Sequence, residues 1–300
     1  MNGPQSTPSL SQASILVAGV ARNCERTIRH DVQRLQAAFG GCHQLQWLIV
    51  ESDSSDKTLT CLELLERDIQ GFQFRSLGYL AESLPIRTER IAHCRNAYLD
   101  ELNSNPLYSA IDYVAIADLD GVNRLITMKG VVSCWTRQDW DVCTASQRGP
   151  YYDIWALRHP LWSPNDCWRQ YKFLCECNVQ RELAAWVSRY AKMITIPETS
   201  EWIAVDSAFG GLAIYRRAIL TDACYRGIDD DNEPICEHVW LHNQLRATGA
   251  RIFINPRLIN TAGTEQSYER SFLQTMRRYL LDLRHALKLA ALRAFSPDSL

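Results

Sequence analysis

Compact apolar runs alternate with amphipathic stretches of helix length through the first half of the chain. Runs at 15–20, 45–50 and 72–77 are rich in β-branched and aromatic residues, the composition of buried strands. Between them, helical periodicity runs from Asn23, expected to cap its helix, to Phe39 before Gly40-Gly41. Two further helices are predicted at 59–67 and 86–102. A fourth run, Tyr113-Val114-Ala115-Ile116-Ala117, ends in Asp118-Leu119-Asp120-Gly121. Strand and helix in alternation predict a parallel sheet with right-handed crossovers. The second half is less regular. It holds a predicted strand at 141–146, an aromatic-rich stretch at 162–186, and Gly210-Gly211 ahead of an apolar strand. A helix opening near Glu237 and closing at Gly249, then a last strand at 251–255, complete the pattern. There is no internal repeat and no linker composition.

Composition narrows the class. Apolar residues make up 46% and charged residues 22% of the chain, as in ordinary globular proteins. A net charge of −2 gives no case for nucleic-acid binding. No apolar run approaches the ~18 residues needed to span a bilayer. Residues 1–13 are polar, without signal-peptide features, and are expected to be a disordered lead-in. The 11 cysteines form no C-x-x-C pair and read as small core residues in a reducing, cytoplasmic setting. At 266–300, Leu273, Met276, Leu280, Leu283 and Leu287 make a helical stripe among basic residues. That stripe predicts an amphipathic helix, packed on the domain or lying on a membrane surface as a peripheral contact.

The candidate chemistry centres on Asp118 and Asp120, two carboxylates at the tip of a strand. Carboxyl ends of strands are where open α/β sheets bind ligands. Adjacent acids repel unless a cation lies between them, and carboxylate oxygens suit Mg²⁺ or Mn²⁺. Asp153 and Trp155 supply a hydroxyl acceptor and a stacking ring, the pair that a sugar requires. His238 and His242 share a helix face, which makes His242 a candidate third metal ligand.

The order of these motifs resembles that of the GT-A glycosyltransferases, specifically the family-2 type, over about residues 14 to 260. Ala21-Arg22-Asn23 and the acidic loop from Glu51 through Asp53 to Thr58 look like the two nucleotide-contacting loops. Arg95-Asn96 looks like the helix-borne pair, Asp118-Leu119-Asp120 matches the D-x-D, and Phe209-Gly210-Gly211 resembles the glycine turn beneath the acceptor. Glu237-His238 sits where an acidic pair supplies the base, with His238 in place of the usual Asp. A weaker resemblance, through Arg22-Asn23-Cys24 and the 51–56 loop, is to fungal capsule-type mannosyltransferases.

The resemblance implies an α/β fold of GT-A type, with a Rossmann-like, mostly parallel sheet flanked by helices and a C-terminal helical tail. The domain would run over 14–265, with a nucleotide-binding half at 14–123 and an acceptor half at 124–265. The implied activity is metal-dependent transfer of a sugar from a nucleotide-sugar donor to a glycan or lipid-linked acceptor. Asp120, backed by Asp118, would hold Mn²⁺ or Mg²⁺, Asp53 the base or ribose, and Arg95 a phosphate. Glu237 would be the inverting base and Asp153 its alternative. Two rival readings remain at this stage: a haloacid-dehalogenase-like phosphatase pairing Asp118 and Asp120 with Asp229-Asp230-Asp231, and an inactive carbohydrate-binding domain.

Overall fold

A computed structural model describes residues 9–262 together with Leu280, Leu281, Leu283, Arg284, His285, Leu287 and Lys288. Eight strands form one sheet: β1 (Ser14–Ala21), β2 (Gln44–Glu51), β3 (Phe72–Ser76), β4 (Tyr113–Ala117), β5 (Val142–Gln147), β6 (Ile203–Val205), β7 (Leu212–Arg216) and β8 (Ile252–Thr261). Their spatial order is β3-β2-β1-β4-β7-β5-β8-β6. The strands β3, β2, β1 and β4 are parallel, as are β5 and β8, while β7 and β6 run against them. The fold is α/β with a mostly parallel sheet flanked by helices.

Alternation along each strand divides the core between the two faces. Leu16, Ala18, Val114 and Ile116 point to one face, where they meet Tyr98, Leu99 and Leu102 of α3 (Arg87–Ser104) and Leu241 and Leu245 of α7 (Glu237–Ala247). Ile15, Val17 and Ala115 point to the other, under Ile28, Val32, Leu35 and Phe39 of α1 (Ile28–Phe39) and Leu62 and Leu65 of α2 (Thr58–Asp68). Burial on both faces is why β1 and β4 read as unbroken apolar runs. The chain order reverses between β1 and β4, which makes the carboxyl ends of these two strands the switch point of the sheet.

Several expectations shift. Leu10 and Ala13, inside the stretch read as a disordered lead-in, are buried in the core. Asn23 does not cap α1; its φ is +49° and its Oδ1 accepts from the Ser55 amide at 2.7 Å. The aromatic stretch folds into two helices, α5 (Cys167–Glu176) and α6 (Arg181–Ser188), after a five-residue α4 (Met128–Val132). The last strand continues through Pro256 to Thr261, because a register shift against β5 accommodates the proline. The cysteines are free thiols, with Cys24, Cys94, Cys134, Cys143, Cys167 and Cys236 buried. In the C-terminal tail, Leu280, Leu283 and Leu287 are helical and exposed, and Leu273 and Met276 lie outside the described residues. Among the described residues no helix is long and apolar enough to cross a membrane.

Candidate active site

The switch point opens into a cleft of about 310 Å³. Five segments wall it: Ala21 and Arg22 at the end of β1, Asp53 after β2, the N-terminal half of α3, Asp118 and Asp120 after β4, and Glu237 and His238 opening α7. Tyr152, Asp153 and Trp155 close the remaining side.

Arg95 is the hub. It lies on the apolar stripe of α3 between Ala92 and Leu99 and is 3% exposed, so its charge needs partners. Its Nε donates to Glu237 Oε1 at 3.2 Å, its Nη2 to Asp118 Oδ1 at 3.4 Å and its Nη1 to the Tyr98 hydroxyl at 3.3 Å. The rings of Phe209 and Tyr225 pack against the guanidinium. One cation therefore holds the strand-tip carboxylate and the candidate base in register, rather than reaching outward as a free phosphate ligand.

Burial pushes the Asp118 carboxyl up to about 7 against the pull of Arg95, with Asp120, Asp153 and Glu237 adding repulsion. Behind the tip, the Gly121 amide donates to Asp31 Oδ2 at 2.7 Å. Asp31 is fully buried on the apolar face of α1, and burial raises its carboxyl to about 6. Asn123 donates to the Asp118 and Gly211 carbonyls, while Asn260 donates to Asn123 Oδ1 and the Gly210 carbonyl. Gly211 also accepts from the Asp118 amide. The glycine pair (φ +69° and +85°) is thus a clamp on the D-x-D, and a Cβ on Gly211 would come 2.7 Å from Val122. Phe209, not the glycines, faces the cleft.

Two strand-tip carboxylates are hard oxygen donors of the kind that Mn²⁺ and Mg²⁺ take, so the Asp118–Asp120 pair fits such an ion. Among the described residues no group of three or more His, Cys, Asp or Glu side chains is arranged to hold a metal, so substrate and water would complete the shell. His242 is not part of it. Its Nδ1 shares a hydrogen bond with Ser207 Oγ and its Nε2 with Tyr215 Oη, both at 2.8 Å, deep in the core. Burial drives that imidazole down to about 3. His238 is the histidine at the cleft: it stacks on Phe209 at 3.8 Å, and both of its buried ring nitrogens lack hydrogen-bond partners. Burial, reinforced by Arg95, holds it neutral.

At the end of β2, Asp53 Oδ1 accepts from the Leu80 and Ala81 amides, both at 2.9 Å. Burial alone would raise this carboxyl, but those two donors hold it below the ordinary range. Its buried Oδ2 has no hydrogen-bond partner and lies 3.7 Å from Arg90 Nε. Arg22 lines the cleft and donates to the Asp53 carbonyl at 3.3 Å. Two predicted contacts point elsewhere. Glu51 is spent inside its own loop, accepting from the Ser54 amide and the Ser76 hydroxyl. Asn96 clamps the Tyr225 backbone through both of its side-chain amide atoms.

Beside the glycine turn, Asp153 accepts from the Gly210 amide at 2.9 Å, and burial raises its carboxyl. Trp155 lines the cleft with its Nε1 bonded to Asp166 at 3.0 Å. Asp229 and Asp231, which a phosphatase reading would bring beside Asp118, line a different cavity. Asp31, Asn123, Asn260, Arg87 and Arg90 were missed from sequence. The legible signal was a charge on an apolar helix stripe, at Asp31.

No family model and no curated protein matches this chain. Solved structures do. Residues 1–349 of Staphylococcus aureus TarS superpose with a TM-score of 0.49 at 14% identity, over 88% of this chain and 63% of that one. The mannosyltransferase PcManGT from Pyrobaculum calidifontis, in complex with GDP-Man and Mn²⁺, gives 0.48 at 12% identity, over 87% and 60%. Glucosyl-3-phosphoglycerate synthase from Mycobacterium tuberculosis, with uridine diphosphate, gives 0.39 at 15% identity, over 83% and 69%. The chain thus spans about three-fifths of the length of the first two.

Proposed function

We propose that this protein is a GT-A type glycosyltransferase that moves a sugar from a nucleotide-sugar to an acceptor hydroxyl. The observation that carries the reading is the Asp118–Arg95–Glu237 chain, in which one guanidinium holds a strand-tip carboxylate and a helix-borne carboxylate at the same cleft. Asp53, ionised and with Oδ2 free of hydrogen bonds though 3.7 Å from Arg90, would take a donor from the nucleobase or ribose. Arg22, Arg87 and Arg90 line the cleft where a diphosphate would lie. A divalent ion held by Asp120, with Asp118 behind it, would neutralise charge growing on the leaving diphosphate.

In the transfer, the acceptor oxygen bonds to the anomeric carbon as the bond from that carbon to the diphosphate breaks. The bonding pair leaves with the nucleoside diphosphate, and Glu237 takes the hydroxyl proton. Attack from the Glu237 side inverts the anomeric centre. The acceptor is a glycan or a lipid-linked sugar, with 14–123 serving the donor and 124–265 the acceptor. Segment 266–300 would bring the enzyme to a membrane surface.

Donor turnover tests the reading. Glu237→Gln should lower transfer by roughly 10²- to 10⁴-fold, the usual size of general-base catalysis, with donor binding nearly unchanged. Asp120→Asn and EDTA should each abolish turnover. Normal transfer by Glu237→Gln, or a product that keeps the donor's anomeric configuration, moves the base role away from Glu237.

A further inference from the structure

Trp155 walls two cavities at once. Beyond it lies a second cavity of about 620 Å³, between the start of α5 and the turn at 229–234. The two differ in their share of cations. Four arginines, Arg22, Arg87, Arg90 and Arg95, stand in the first against the carboxylates of Asp53, Asp118, Asp120, Asp153 and Glu237. The second is lined by the carboxylates of Asp166, Asp229, Asp231 and Glu233 against only Arg169 and Lys172. Those two cations are already paired, Arg169 with Asp229 and Lys172 with Glu233. Asp166 is held from behind by Arg158 at 2.8 Å and accepts from Trp155 Nε1, which fixes the shared wall.

Trp168 is the second ring of this cavity, and it is 44% exposed. The Arg189 guanidinium lies 4.1 Å from its ring centroid and Tyr171 meets it edge-on at 6.2 Å, so the ring is set before anything binds. A sugar ring offers an apolar C–H face to stack on indole and hydroxyls to donate to carboxylates. An anion offers neither and would meet Asp231, the carboxylate of this lining that forms no ion pair among the described residues.

We infer that the cavity between α5 and the 229–234 turn is an acceptor subsite for an uncharged sugar of a glycan, with Trp155 as the partition between acceptor and donor. This rests on the glycosyltransferase reading and deepens it: the phosphate of a lipid-linked acceptor is excluded from this cavity. The sugar docked there presents its hydroxyl across Trp155 to the cleft, where the oxygen joins the anomeric carbon, the nucleoside diphosphate departs with the bonding pair and Glu237 takes the proton.

The experiment measures acceptor and donor KM on the full chain. The donor is the nucleotide-sugar that the wild type consumes fastest. The acceptor probes are methyl glycosides of neutral hexoses and disaccharides, with dodecyl phosphate as the anionic contrast. Trp168→Ala and Asp231→Lys, both at exposed positions, should each raise the ratio of acceptor KM to donor KM about tenfold or more, the size of a lost stacking or polar contact. Transfer to neutral glycosides should exceed transfer to dodecyl phosphate. An unchanged ratio in both variants, with wild-type donor still consumed, overturns the subsite alone. Preferential transfer to dodecyl phosphate also overturns it. A wild type that consumes no nucleotide-sugar overturns the glycosyltransferase reading, and the subsite with it.

Discussion

At the scale of single residues, the site depends on charges placed where apolar side chains would ordinarily sit. Arg95 and Asp31 both occupy buried helix faces, and each is explained by what it holds in place, Arg95 the Asp118 and Glu237 carboxylates and Asp31 the Gly121 amide. Arg95→Met would leave the Glu237 and Asp118 carboxylates without their shared cation, and breaking a buried pair from one side costs roughly 3–5 kcal/mol. Urea unfolding should show a loss of that order; a loss below 1 kcal/mol would mean that the carboxylates find other partners. Asp31 makes a pH-dependent prediction. Its folded value of about 6 lies above the 3.8 of an ordinary aspartate, so the folded state holds the proton more tightly than the unfolded state. Its contribution is fully present below about pH 4 and is lost as pH rises through about 6. Asp31→Asn keeps an acceptor for the Gly121 amide and removes that titration. Relative to wild type it should therefore gain up to about 3 kcal/mol between pH 4 and pH 7, read by denaturant unfolding in metal-free buffer. A difference that stays flat with pH would show that Asp31 titrates normally.

At the scale of elements, the decisive feature is the direction of β7. Because it runs antiparallel to β4, with Ala117 opposite Leu212, its entry turn falls beside the exit of β4. That places Gly210-Gly211 against Asp118 and explains why positive φ is needed there. The double glycine was visible in the sequence, but its partner was not, since strand direction is a property of the assembled sheet. Sequence reading also stopped β8 at Asn255, because proline cannot donate to a ladder, and so missed Asn260 as part of the clamp. The tail is the other element with a test. Leu280, Leu283 and Leu287 are 56%, 46% and 63% exposed, which suits a helix that lies on a lipid surface. Full-length protein should pellet with anionic vesicles and a version ending at Ser267 should not. Equal pelleting of the two would remove the membrane role.

At the scale of the whole molecule, the cleft is formed by five segments far apart in the chain, so a ligand that bridges them should stabilise the entire fold. A nucleotide-sugar with Mn²⁺ at a hundredfold excess over its Kd should add about 2.7 kcal/mol, raising Tm by roughly 4–5 °C. The same shift without metal would argue against a metal-bridged donor. What the sequence determined by itself was everything that repeats with a local period or sits at a strand end. The β1–β4 strands, their intervening helices, the acids Asp53, Asp118 and Asp120, and Glu237 at a helix start were all legible, because buried strands and helix ends leave compositional marks within a few residues. The tertiary structure alone decided which of the polar side chains meet. His238 and His242 are equivalent by spacing, yet one lines the cleft with both buried ring nitrogens unpartnered and the other is sealed between Ser207 and Tyr215. Glu51 and Asp53 stand two residues apart, yet one is consumed by its own loop and the other keeps an oxygen without a hydrogen bond. Such differences arise from hydrogen bonds and burial contributed by distant segments, and no local pattern encodes them.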